Sequence, residues 1–306
     1  LEKTLPNLTY LSIFSYQVQP NGTLKGINDV PLIEAARKAK VAPMMVITNL
    51  KEGGGFDSNL AHTILTNQTV QNELFNNIIT TLKTKNYYGL DIDLEYIFPE
   101  DRENYNTFLR RAVTTLRPLG YPVTTALAPK PSGDIKGLLY EAHDYPVHGA
   151  LANHVILMTY EWGYTAGPPL AVSPINEVKK ILDYAVTVIP SKKIFMGIPN
   201  YGYDWTLPYV KGTKATALGN VEAVDLARKV FASIKYDYTS QAPFFNYYDA
   251  NKKEHVVWFE DARSMNAKLR TAAKYNLGGV SYWTIGKYFP QAWLVQNSLF
   301  NVKKLL

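Results

Sequence analysis

The chain has 306 residues, 46% of them hydrophobic, enough to bury the core of one large α/β barrel domain. Lysine and arginine number 32 against 26 acidic residues, a net charge of +6 and a pI near 9.1; this favours anionic partners mildly, and is spread too evenly to point to nucleic acid. No cysteine occurs, which excludes disulfides, thiolate metal sites and cysteine nucleophiles, and no apolar run approaches the ~18 to 20 residues of a membrane-spanning helix.

In chain order, short apolar runs alternate with amphipathic stretches, as expected of repeated βα units around a parallel sheet. Strands are expected at 8–16, 41–48, 88–95, 122–128, 154–160, 194–199 and 278–283. Between them, Val70, Leu74, Ile78 and Leu82, and then Phe108, Leu109, Ala112, Val113 and Leu116, recur at the three- and four-residue spacing of a buried helix face. Gly53-Gly54-Gly55 lacks the spacing of a phosphate-binding loop and reads as a flexible loop at a cleft edge. The histidines at 62, 143, 148, 154 and 255 show no metal-ligand spacing and call for no special role. Ser173-Pro174 reads as an N-cap and first-turn proline for a helix carrying Val178, Ile181, Leu182 and Ala185.

Residues 200–277 exceed an ordinary βα connection. Within them Asn220 to Lys235 reads as a helix, while 244–248 and 255–259 read as two strands joined by a turn at Asp249-Ala250-Asn251-Lys252-Lys253. The expected organisation is a barrel domain formed by 1–199 and 260–306, with a small α+β insertion over 200–259.

The most informative stretch is Tyr88-Gly89-Leu90-Asp91-Ile92-Asp93-Leu94-Glu95. In a strand, successive side chains face opposite ways and residues two apart lie about 6.6 Å from one another. Leu90, Ile92 and Leu94 therefore face one way, and Asp91, Asp93 and Glu95 the other. Carboxylates so close raise one another's pKa, so at least one proton is expected to stay bound near neutral pH. A solvated strand face or a divalent-cation site is the alternative, but the apolar side argues for burial, and catalysis accounts better for the other strand endings.

The octet resembles the active-site strand of family 18 glycoside hydrolases, Asp-Gly-x-Asp-x-Asp-x-Glu, with Tyr88 in place of the first Asp. Three further endings are similar to the matching family segments: Met158-Thr159-Tyr160-Glu161, Gly197-Ile198-Pro199-Asn200-Tyr201-Gly202 and Ser281-Tyr282-Trp283-Thr284. The resemblance implies a (β/α)8 TIM barrel with the α+β insertion before its last strand. It makes Leu8–Phe14 the second barrel strand, so that the first would precede Leu1.

It also implies roles and a substrate. Glu95 would be the general acid. Asp93 would orient the substrate's 2-acetamido group, with Asp91 behind it and Tyr160 donating to the acetamido carbonyl, a substrate-assisted route with net retention. Glu161, Asn200, Tyr201, Trp162 and Trp283 would contact the sugar, Trp283 as its stacking floor. Tyr164, Tyr203, Trp205 and Phe98 are further candidate cleft walls. No metal and no cofactor are implied, and the Glu95–Tyr96 and Trp283–Thr284 bonds are candidates for non-proline cis peptides.

Phe14–Val18, Phe98–Tyr105 and Met158–Tyr164 resemble the spore-associated glucosaminidases of Gram-positive spore formers more than secreted chitinases. The expected partner is an N-acetylated glycan of peptidoglycan, the expected place extracytoplasmic, at the spore coat, cortex or cell wall. LysM wall-binding modules would lie outside this stretch. A chitinase and a non-catalytic sugar-binding barrel are the alternatives.

Overall fold

Every strand expected from the sequence forms, with shifted ends, in a computed structural model that describes residues 1–306. The chain divides into two compact units: Glu2–Leu157 with Tyr184–Phe195 and Val302–Leu306, and Leu1 with Met158–Asp183 and Met196–Asn301.

The first unit carries β1 (Tyr10–Val18), β2 (Leu24–Lys25), β3 (Ala42–Thr48), β4 (Gly89–Asp93), β5 (Val123–Leu127) and β6 (His154–Leu157). Its helices are α1 (Val30–Lys38), α2 (Ser58–Thr66), α3 (Gln68–Lys85), α4 (Arg102–Leu116) and α5 (Tyr145–Leu151). Strands β1, β3, β4, β5 and β6 pair in parallel in that order, and the two-residue β2 returns antiparallel on β1. Strands β3, β4 and β5 are buried at every residue, as expected of parallel strands covered on both faces. The expected helix faces do face inward, with Leu74, Ile78 and Leu82 of α3 and Leu109, Ala112 and Leu116 of α4 wholly buried. Gly89 opens β4 because nothing larger fits: a Cβ there would stand 2.6 Å from the Pro122 carbonyl oxygen.

The second unit contains β7 (Ile194–Pro199, from Met196 on), β8 (Gly202–Thr206), β9 (Thr216–Leu218), α7 (Asn220–Lys229), β10 (Lys235–Asp237), β11 (Ala242–Tyr248), β12 (Glu254–Trp258), α8 (Ala262–Lys274), β13 (Gly279–Trp283) and α9 (Pro290–Leu299). Strands β8 to β12 make a five-stranded antiparallel sheet in the order β10-β11-β12-β8-β9. Ala223 and Ala227 of α7 pack against Phe245, Val257 and Phe259 of this sheet and its exit.

Three local expectations change. The helix from Asn220 stops at Lys229, because Phe231 turns left-handed at φ 56° and Ala232 N–H closes onto Ala227 C=O at 2.9 Å, releasing the chain into β10. The helix after Ser173, α6 (Ile175–Val188), begins at Ile175, and the Ser173 hydroxyl donates to the Thr159 carbonyl at 2.7 Å. Strands β8, β9 and β10 have no counterpart in the sequence reading.

Candidate active site

Strand β4 sets the carboxylates. Its register places Asp91 opposite Val46 on β3 and Thr124 on β5, and the Thr124 hydroxyl donates to Asp91 Oδ1 at 2.8 Å. Asp91 and Asp93 are buried and Glu95 half-buried. The Asp93 and Glu95 carboxyl groups share a hydrogen bond, which requires a proton on one of them. Burial is the main cause of all three shifts. It pushes Asp91 to about 6 against the Thr124 bond, and Glu95 to about 7 against the bond with Asp93. Asp93 rises well above the usual carboxylate range through burial and then the neighbouring Glu95 and Asp91. Its Oδ1 is buried with no hydrogen-bond partner. Tyr88, the departure from the family pattern, is half-buried, and its ring meets that of Tyr10 edge-on at 6.2 Å.

Beyond β4 the main chain is held by side chains. Asn49 Oδ1 accepts from Glu95 N–H at 3.0 Å, while Asn49 Nδ2 donates to the Glu95 carbonyl at 2.8 Å and the Asp57 carbonyl at 3.1 Å. Ala128 N–H donates to His143 Nδ1 at 2.8 Å, so the proton sits on Nε2, which donates to the Leu94 carbonyl at 2.9 Å. Burial lowers His143 to about 4, so the ring stays neutral. Lys130 Nζ, itself pushed down to about 8 chiefly by burial, donates to the His143 carbonyl at 2.8 Å. The sequence reading did not single out Asn49, and it gave His143 no special role, whereas the structure has it hold the Leu94 carbonyl.

The remaining predicted residues, Phe98 apart, lie in the second unit. Tyr201 donates its hydroxyl to Glu161 Oε2 at 2.7 Å and Tyr203 reaches both Glu161 oxygens at 3.1 Å. Burial raises the Glu161 carboxyl and the two hydroxyls pull it back. Glu161 adopts φ 69°, in the left-handed region. Tyr160 and Tyr201 pack against the cluster of Val172, Tyr203, Trp205, Ala215 and Val256. Trp162 is half-buried, tied by its N–H to the Val172 carbonyl at 3.0 Å. Trp283 is 37% exposed.

Two candidates change character. Asn200 is buried, and its amide donates to the carbonyls of Thr284 at 2.8 Å and Lys287 at 3.0 Å, so its donors are committed to the chain after β13. Trp205 is 2% exposed with its indole N–H on the Gly167 carbonyl at 2.9 Å, a core residue and not a cleft wall. The Trp283–Thr284 bond is cis as expected, whereas Glu95–Tyr96 is not, and the second non-proline cis bond is Phe14–Ser15.

Buried Asp91 and Asp93, followed by Glu95 just beyond the end of a parallel strand in a βα chain, fit the carboxyl chemistry of a glycosidase of the α/β-barrel class. The chain belongs to glycoside hydrolase family 18: the model described as "Glycosyl hydrolases family 18" matches residues 3–287. The cortical fragment-lytic enzyme of Bacillus subtilis (strain 168) is 47% identical over 300 residues, which cover 98% of this chain and 69% of the relative. A putative sporulation-specific glycosylase of the same organism is 37% identical over 303 residues, covering 98% of this chain and 71% of that one. The crystal structure of the Bacillus cereus spore cortex-lytic enzyme SleL superposes with a TM-score of 0.96 at 44% identity, over 99% of this chain and 70% of that one. The fold is the TIM-barrel α/β class, and the chain is a family 18 glycosidase.

Proposed function

We propose that this chain is a retaining N-acetylglucosaminidase that cuts β-linked N-acetylglucosamine in peptidoglycan, with spore cortex fragments as its substrate. The observation that carries the chemistry is the placement of Glu95 two residues beyond the buried Asp93 at the end of β4, where burial raises the Glu95 carboxyl to about 7. A carboxyl group in that range still holds its proton at neutral pH and can deliver it to a glycosidic oxygen. Asp93, once Glu95 has given up the proton, turns to the acetamido N–H of the substrate. The carbonyl oxygen of that acetamido group, to which Tyr160 donates, attacks the anomeric carbon as the bond to the protonated glycosidic oxygen breaks and the leaving sugar departs as an alcohol; water, losing a proton to Glu95, then opens the cyclic intermediate with net retention. Asp91 backs Asp93 in an alternating proton arrangement. Glu161 and Trp283 bind the sugar, with Trp162 and Tyr201 beside them, while Asn200 supports the loop that follows Trp283.

The substrate class is supported by the names of the relatives, two cortical fragment-lytic enzymes and a spore cortex-lytic enzyme among them. The net charge of +6 suits an anionic wall polymer. No helix is long and apolar enough to cross a membrane. We place the activity outside the cytoplasm, at the spore cortex or cell wall.

The test is to incubate the protein and its Glu95→Gln variant with spore cortex fragments and with chitin oligosaccharides, identifying the products by mass. New N-acetylglucosamine ends in the cortex digest, lost in the variant, are expected. Cleavage of chitin alone would overturn the cortex assignment, and undiminished activity of the variant would remove Glu95 from its role.

A further inference from the structure

Three consecutive carbonyl groups beyond the end of β4 are each held by a different side chain: Leu94 by His143, Glu95 by Asn49 and Tyr96 by Ser58. The ladder bonds of β4 stop at Asp93, and Tyr96 turns left-handed at φ 54°, so regular structure does not fix the peptide units around Glu95. Asn49 is the one side chain that grips both main-chain groups of Glu95, accepting its N–H and donating to its C=O. Asn49 is completely buried, and its second amide hydrogen goes to the Asp57 carbonyl. Asp57 in turn donates its N–H to the Asn49 carbonyl at 2.8 Å and caps α2 through Leu60 N–H at 3.0 Å. Glu95 is thereby referred to the start of a helix through one amide group, with both its N–H bonds and its oxygen in use.

We infer that Asn49 is a positioning residue for the reaction: it fixes the main chain of Glu95, and with it the carboxyl group that must meet the glycosidic oxygen. The inference rests on the assignment of Glu95 as the acid. Asn49 itself is completely buried, so it acts only through Glu95. A reacting group misplaced by about 1 Å can lose two orders of magnitude in rate without loss of binding.

The experiment compares Asn49→Ala, the milder Asn49→Ser, Glu95→Gln and a control, Gln71→Ala, on spore cortex fragments. Gln71 is equally buried in the same unit, and its amide also holds a main-chain carbonyl, that of Ile64 at 2.8 Å, remote in sequence from β4. Each rate is normalised to the fraction of folded protein measured by circular dichroism. Both alanine variants should melt at lower temperature, but only the Asn49 variants should lose kcat, by roughly a hundredfold for alanine and less for serine, with KM within about threefold of the parent. If Asn49→Ala does not fold, Asn49→Ser alone decides. Should Glu95→Gln be inactive while the Asn49 variants keep the parental kcat, or fall only as far as Gln71→Ala, the positioning role is refuted and Glu95 stands. Should Glu95→Gln stay active, it is the acid assignment that fails.

Discussion

His143 Nε2 donates to the carbonyl of Leu94 at 2.9 Å, so the residue immediately before Glu95 is held by an imidazole that is itself 1% exposed. Replacing His143 by alanine leaves that carbonyl and the Ala128 N–H without partners, at about 1 to 3 kcal/mol for each buried group. Urea denaturation near pH 7.5 should show a loss of about 2 to 5 kcal/mol. The sign of the pH dependence follows from the lowered value of about 4. The unfolded ring takes up a proton below about 6.5 and the folded ring does not, so the contribution of His143 is whole above that pH and shrinks as pH falls toward 4. The stability gap between parent and variant should therefore narrow over that window; a gap that does not change with pH would contradict the neutral, buried ring.

Glu95→Gln should abolish turnover and yet make the protein more stable at alkaline pH. The Glu95 carboxyl is raised to about 7 in the folded state, mainly by burial, so ionising it opposes folding. The penalty begins as pH rises past its ordinary value of about 4.5 and is complete above 7. A gain of about 1 to 2 kcal/mol at pH 8, absent at pH 4, is expected from thermal or urea unfolding. Equal stability of the two proteins at both pH values would show that the carboxyl is not desolvated.

Activity should fall as pH rises through about 7, where Glu95 gives up its proton. Asp91→Asn removes a negative neighbour that raises Asp93, so the coupled pair should lose its proton more easily. The alkaline limb of the kcat profile should then move to lower pH, and a shift to higher pH would rule out this charge coupling.

Glu161→Gln tests the sugar-facing cluster. It keeps the size of the side chain but weakens two charge-assisted bonds, from Tyr201 at 2.7 Å and Tyr203 at 3.1 Å, and removes a carboxylate acceptor for sugar hydroxyls. KM should rise about tenfold, the equivalent of 1.4 kcal/mol, with the melting temperature nearly unchanged. A large loss of stability with unchanged KM would make Glu161 a structural residue.

Asp29 offers a test of fold stability away from the site. It is fully buried, with Lys85 Nζ at 2.6 Å, the Tyr87 hydroxyl at 2.5 Å and the Tyr16 hydroxyl also on its carboxylate. Burial raises its pKa, but these three bonds together outweigh burial and hold the carboxyl below the usual range. Its stabilising effect is therefore whole above about pH 4 and is lost as acid protonates the folded carboxylate. Asp29→Ala should cost about 3 to 5 kcal/mol at pH 7, since it strands Lys85 and two phenols. An effect below about 1 kcal/mol would mean that the network is replaced by solvent.

The seven strands and the carboxylates of β4 were legible because strand alternation and buried apolar runs are local properties of the chain. Residues two apart in a strand must share a face, and apolar runs flanked by polar turns have few other ways to be buried. The helix from Asn220 was read too long because Val230 and Ile234 continue the three- and four-residue apolar spacing of Ala223 and Ala227, although the chain there has already left the helix for β10. Strands β8, β9 and β10 escaped notice because β9 and β10 are only three residues long and β8 takes its hydrogen bonds from β12 and β9, distant in sequence.

Sequence by itself determined which chemical groups the chain has and the order of its elements: Glu95 two residues beyond Asp93, with tyrosine, glutamate and tryptophan at later strand ends. Only the tertiary structure decided that Asn49 and His143 grip the main chain on either side of the Glu95 peptide, that Asn200 is committed to the loop after β13, and that Trp205 belongs to the core. The reason is physical. A strand's facing is fixed by bond geometry between neighbours, whereas a side chain's partner is fixed by which distant segment burial brings within hydrogen-bond reach, and desolvation by that same burial sets the proton affinities on which the chemistry depends.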